Sequence, residues 1–193
     1  MAKNFKHAKT LFMCIFMSFI MILGASVTSY AAPTDELKNE GRFSVYATAS
    51  MIIEREYNGE RQILLQLRQN TGYMDNMWDL GAGGHLDEGE TMRQAAIRES
   101  KEELNIDVAE EDMEFVYLGS NFIPNKGIYN CTYFKVNKFS GDLKANEPKR
   151  CREIRWFNLN DLPDNLIPMH RDTLNNYLNG KYYSEFGWED YRK

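Results

Sequence analysis

Glu99, Glu102 and Glu103 stand three and four residues apart in the segment TMRQAAIRESKEEL, residues 91–104. Those are the spacings at which side chains meet on a helix surface. Like charges so placed cost roughly 0.2 to 0.5 kcal/mol per pair, which a solvated helix could bear. The residues in front of the helix speak for more than a solvated face. Gly83, Gly84 and Gly89 crowd the turn that leads into it, and glycine lets the main chain come close to a ligand. Oxygen donors converging beside exposed carbonyls suit a hard divalent cation, and ligation by oxygen alone favours Mg²⁺ or Mn²⁺ over zinc. The repulsion among the glutamates is what such an ion relieves.

The elements that must position these groups follow from local signals. Thr91 followed three residues later by Gln94 is a capping-box pattern that starts the helix, and Asn105, which tolerates the left-handed conformation, stops it. At about 100° per residue, Ala96, Ile97, Ser100 and Leu104 form a core stripe, and Met92, Ala95, Glu99, Glu102 and Glu103 form another. Upstream, FSVYATASMIIERE and RQILLQLRQ read as a hairpin around Asn58 and Gly59. WDLGAGGHLD, residues 78–87, reads as a short strand interrupted by glycines. Two more strands follow at MEFVYLGSNFI and GIYNCTYFKVNKF, then a polar loop over residues 140–150 and a closing strand, CREIRWFNL. Pro163 and Pro168 bracket a turn before the helix MHRDTLNNYL. Sequential strands interrupted by helices predict an α/β fold, a mixed sheet with flanking helices.

The chain has 193 residues, of which 43% are hydrophobic, enough for one domain with a real core. Lys3, Lys6 and Lys9 precede the apolar run LFMCIFMSFIMILGASV, and TSYAAPT follows it. This is the layout of a secretory signal peptide over residues 1–31, cleaved after Ala31, with 32–42 as a lead-in to the domain. An uncut membrane anchor is the alternative, the run of about 17 residues lying at the lower limit for spanning a bilayer. The expectation is therefore an exported protein that touches a membrane only through its first segment. Losing the leader removes three lysines and no acids, so the formal charge of −5 becomes −8. No basic stripe remains for a polymeric nucleic acid. Cys131 and Cys151 make no disulfide framework. Export would permit one bridge between them, the alternative being two free thiols, one in a strand and one in a loop.

The spacing of residues 84–106 resembles the signature of the Nudix hydrolases, Gx5Ex7REUxEExGU with U aliphatic. Gly84, Glu90, Arg98, Glu99, Glu102, Glu103 and Ile106 match it; Ser100 stands where an aliphatic residue is usual and Asn105 where glycine is usual. One departure faces the core and the other caps the helix, so both bear on stability more than on chemistry. The resemblance implies the Nudix fold, an α/β/α sandwich, over about residues 43–180, and leaves 181–193 as a C-terminal tail. It also implies a Mg²⁺-dependent hydrolase of nucleoside diphosphate-linked small molecules, with Mn²⁺ able to substitute. By the same resemblance, Glu99 and Glu103 are principal metal ligands, Glu102 is a third, and the Gly83 carbonyl adds another. Arg98 pairs with Glu90 to orient the loop, in which Gly84 is a structural residue. Glu147, in ANEPKRC, is the acid the family often supplies from the loop before its last strand. Trp78 or Phe122 could stack on a base, and Asn165 in PDNLIP lies near a base-reading asparagine of some relatives.

Two other readings use the same residues. WDLGAGGHL also resembles the isopentenyl diphosphate isomerases, but those enzymes use a cysteine in that stretch, and none lies between Cys14 and Cys131. A catalytically silent Nudix module that only binds nucleotides would generally lose glutamates of the signature; this chain keeps them all. Nothing downstream marks a sugar-nucleotide, coenzyme or dinucleoside polyphosphate subfamily.

Overall fold

A computed structural model describes residues 43–191. The expected leader and lead-in, residues 1–42, lie outside the described residues. Asn58 and Gly59, at φ 53° and 78°, supply the two left-handed positions of a tight hairpin turn. They join β1 (Tyr46–Tyr57) to β2 (Glu60–Arg68). The second half of β1 pairs with β2, from Glu54↔Ile63 to Tyr57↔Glu60.

The stretch expected to be one glycine-interrupted strand divides at Gly81. β3 (Trp78–Leu80) pairs with β2, whereas β4 (Ala82–His85) pairs with the first half of β1, so the chain changes partner at the glycine. The polar loop is not wholly irregular, because β8 (Ser140–Gly141) pairs with β5 (Ile106–Asp107). β6 (Met113–Ile123), β7 (Gly127–Val136), β9 (Cys151–Asn158) and β10 (Tyr183–Phe186) complete the strands. The main sheet runs β10-β6-β7-β1-β2-β3, with β4 beside β1 and β9 beside β2.

Residues 181–193 were expected to be a tail, and here the structure corrects the sequence. β10 lies parallel to β6, from Tyr183↔Leu118 to Phe186↔Asn121. A short helix, α3 (Trp188–Tyr191), follows α1 (Met92–Leu104) and α2 (Pro168–Leu178) in the chain. Trp188 Nε1 donates to the Ser120 carbonyl at 2.8 Å. A polar segment still becomes a strand when a neighbouring edge offers unpaired main-chain groups.

Side chains alternate along β1. Ala49, Met51 and Ile53 face α1 with Leu64, Phe134 and Val136, while Ile52 joins Ile63, Leu65, Trp78 and Leu174 on the α2 side. This is the expected α/β/α sandwich. Thr91 caps α1 through both arms of the capping box, and Asn105 closes it at φ 56°. Ala95, assigned by angle to the carboxylate stripe, is instead fully buried beside Ala96, Ser100 and Leu104, and Ile97 is only half-buried. The small Ala95 methyl fits beneath the approach of α1 to the sheet, where a glutamate would not. Cys131 and Cys151 are both buried free thiols, in β7 and at the start of β9. β1 and β2 separate those strands, so no bridge can form. Among the described residues no helix is long and apolar enough to cross a membrane.

Candidate active site

α1, β4 and the first turn of α2 line a cavity of about 490 Å³, a volume usual for a small-molecule site. Glu99 and Glu103 enter it from α1, Gly83 and Gly84 from β4, Asp79 from β3 and His170 from α2. Gly83 must be glycine, since a Cβ there would lie 2.3 Å from Ser50 Oγ. Glu103 Oε2 accepts from Gln66 Nε2 at 3.0 Å and from the Gly83 N–H at 3.1 Å. Burial raises the Glu103 carboxyl to about 8; the Gly83 N–H and Gln66 hold it down, and the charges of Asp79 and Glu99 push it further up. Burial also raises Glu99, opposed by Arg98 and reinforced by the charges of Glu102 and Glu147.

Arg98 ties the turn to the helix. Its Nε and Nη2 grip Glu90 at 2.8 and 3.1 Å, Nη2 also donates to the His85 carbonyl at 2.9 Å, and Nη1 reaches Glu99 Oε1 at 2.8 Å. A planar guanidinium makes this bidentate grip; an ammonium would not. Glu147 does not line this cavity. It lines a smaller adjoining cavity of about 140 Å³ together with Glu103, Gln66 and Arg150.

Four further expected site residues lie off this cavity. Glu102 does not line the cavity; its side chain is 55% exposed and meets Arg98 Nη1 at 3.2 Å. Glu103 falls about 40° from Glu99 around the helix on one side and Glu102 about 60° on the other, so only one of them shares the cavity with Glu99. Trp78 is core, its ring 4.7 Å from that of Phe157, because strand alternation turns Asp79 to the cavity. Phe122 packs on Tyr191 at 5.0 Å, and its neighbour Ile123 faces the cavity. Asn165 is exposed and joins two loops, donating to the Asn76 carbonyl at 2.8 Å and accepting from the Trp78 N–H at 2.9 Å.

Several cavity residues went unnoticed in the sequence. Asp79 Oδ1 pairs with His170 Nε2 at 2.9 Å and Oδ2 with Arg68 Nη1 at 2.5 Å. Burial alone would raise the Asp79 carboxyl, but His170 and Arg68 outweigh it and bring it down to about 2. An acid between Trp78 and Leu80 in a short apolar strand was the available signal for it; Gln66, inside the run ILLQL, carried a similar one. Tyr73, Lys126, Tyr129 and Cys131 also face the cavity, and nothing in their local sequence distinguishes them. Burial raises the Cys131 thiol, so it remains protonated and offers no thiolate.

Among the described residues no three His, Cys, Asp or Glu side chains are clustered closely enough to hold a metal by themselves. Glu99 is turned onto Arg98, and Glu103 onto Gln66 and Gly83. The donor set nevertheless fits a hard cation: it is all oxygen, and its two half-buried carboxylates resist ionising together.

The sandwich with a carboxylate-bearing helix behind a glycine turn, together with relatives described as a pyrophosphohydrolase and a pyrophosphatase, places the chain in the class of hydrolases of phosphorus-containing anhydrides. The NUDIX domain model matches residues 47–177, and the chain belongs to the Nudix family. An RNA pyrophosphohydrolase of Wolbachia pipientis subsp. Culex pipiens is 30% identical over 142 residues, spanning 62% of this chain and 85% of that one. An ADP-ribose pyrophosphatase of Methanocaldococcus jannaschii is 25% identical over 140 residues, spanning 72% and 79%. Among solved structures, a MutT NUDIX hydrolase from Burkholderia pseudomallei superposes with a TM-score of 0.59 at 25% identity, covering 69% of this chain and 98% of that one.

Proposed function

We propose that the protein is a Mg²⁺-dependent pyrophosphohydrolase of small nucleoside diphosphate-linked compounds, able to use Mn²⁺. The observation that carries this reading is the pairing of Glu99 and Glu103 on the cavity wall, against the main chain of Gly83 and Gly84. The relatives named above support it, since both are described by hydrolysis at a pyrophosphate.

Glu99 and Glu103, with the Gly83 carbonyl and Glu147, would hold the cation. When bound, it neutralises phosphate charge and lowers the pKa of a coordinated water. The chain's own groups do the rest. Arg98 fixes the direction of Glu99 through Glu90 and His85, and Gln66 fixes that of Glu103. One of these glutamates, or a carboxylate outside the helix, would take the proton of the attacking water. The test is a panel of nucleoside triphosphates, nucleotide sugars and ADP-ribose, assayed for released phosphate or pyrophosphate with Mg²⁺ and with chelator. Turnover that persists in excess chelator would remove the metal from the reading; no turnover of any compound would remove the hydrolase.

A further inference from the structure

Beyond the carboxylates the cavity continues into an aromatic corner. Tyr129 of β7 lines it, and its ring stacks on Tyr46 of β1 with centroids 5.0 Å apart and planes 28° apart. The His85 ring meets both edge-on, at 5.8 Å from each. Tyr73, from the loop between β2 and β3, lines the same cavity, with Arg68 Cζ 5.9 Å and Lys126 Nζ 5.7 Å from its ring centre. Lys126 lies in the turn between β6 and β7 and has no carboxylate partner among the described residues.

His85 joins this corner to the phosphate end. Its carbonyl accepts from Arg98 at 2.9 Å, and the preceding Gly84 abuts Glu99, while its ring braces Tyr129. A group attached to a pyrophosphate held at Glu99 and Glu103 therefore has the Tyr129 wall within reach. Tyr129 packs against the edge of the α2-side core, whereas Tyr46 remains 53% exposed and belongs to neither hydrophobic core.

We propose that Tyr129, backed by Tyr46, is the surface on which the nucleobase of the substrate stacks, with Tyr73 as the second wall and Lys126 beside it. The identity of the ligand rests on the pyrophosphohydrolase reading above. Stacking on an aromatic ring contributes about 1–3 kcal/mol per base and tolerates any base, because every base has a π-face. The enzyme should then discriminate weakly among bases and strongly against diphosphates that carry no ring.

Binding of α,β-methylene-ADP and of inorganic tripolyphosphate, measured by calorimetry with Mg²⁺, tests this on the full-length protein. Tyr129→Leu should weaken the nucleotide analogue about tenfold, corresponding to about 1.4 kcal/mol, and change tripolyphosphate by less than about twofold. Tyr129→Phe should bind the analogue as wild type does. With a nucleotide substrate from the panel, Tyr129→Leu should raise KM far more than it lowers kcat. Tyr46→Ala, at an exposed position, should fold and weaken the analogue by a smaller factor. A Leu variant that binds as wild type, a Phe variant as weak as Leu, or a parallel loss of tripolyphosphate would each overturn the assignment. Ring-dependent binding without turnover of any panel compound would overturn the hydrolase reading and leave the stacking surface standing.

Discussion

A Cβ on Gly84 would lie 2.0 Å from Oε1 of Glu99. The turn glycine and the helix glutamate thus share one volume, and the position of the carboxylate depends on the absent side chain. Gly84→Ala must push Glu99 aside, because a glutamate tip yields more readily than a strand. The expected result is a kcat lowered by about two orders of magnitude, the scale of losing one positioned charged group, with a thermal midpoint within a few degrees of wild type. A variant of normal activity would show that Glu99 holds nothing the reaction needs.

Glu103→Gln separates activity from stability. The folded carboxyl titrates at about 8 in the metal-free protein, above its unfolded value, so the native state binds more protons than the unfolded state between those two values. Stability then falls as pH rises through that window. Glutamine keeps the shape and removes the charge. In chelator at pH 8, the variant should be more stable than wild type by up to about 4 kcal/mol, and with Mg²⁺ its kcat should be lower by orders of magnitude. Urea titrations at pH 5 and pH 8 measure the first effect; equal pH slopes in the two proteins would refute it.

Asp79 behaves in the opposite sense. Its carboxyl is brought from 3.8 down to about 2, so its contribution is fully present above 3.8 and is lost as pH falls through about 2. A depression of that size corresponds to about 2 kcal/mol. Asp79→Asn should cost about that much at neutral pH, by leaving Arg68 and His170 without their carboxylate, and should flatten the acid limb of the stability profile. Chemical denaturation from pH 7 to pH 2 reads both; an unchanged midpoint at pH 7 would mean the pair contributes nothing net.

The apolar run after Lys9 gives a prediction independent of the fold. We propose export with cleavage after Ala31, so the mature protein begins at Ala32. Intact mass of the exported protein decides it. A membrane-bound product retaining Met1 to Ala31 would favour the anchor.

The sequence by itself determined what is local. The caps at Thr91 and Asn105, the hairpin turn at Asn58 and Gly59, and the glutamates of α1 behind a glycine turn are spacings within one or two turns of chain, and each appears in the structure. The carboxylate spacing was legible for the same reason, because residues on one helix keep their spacing wherever the helix goes. Tertiary structure alone decided which of those carboxylates share a cavity. It turned Glu102 away, set Asp79 rather than Trp78 on the site, and joined Asp79 to His170 across ninety-one positions of sequence. It also brought Tyr46 against Tyr129 and laid β10 beside β6. Burial, which drives these distant segments together, is non-directional and proportional to area. It leaves no fixed spacing in the chain, so an aromatic residue bound for the core and one bound for the cavity look alike until the sheet is assembled.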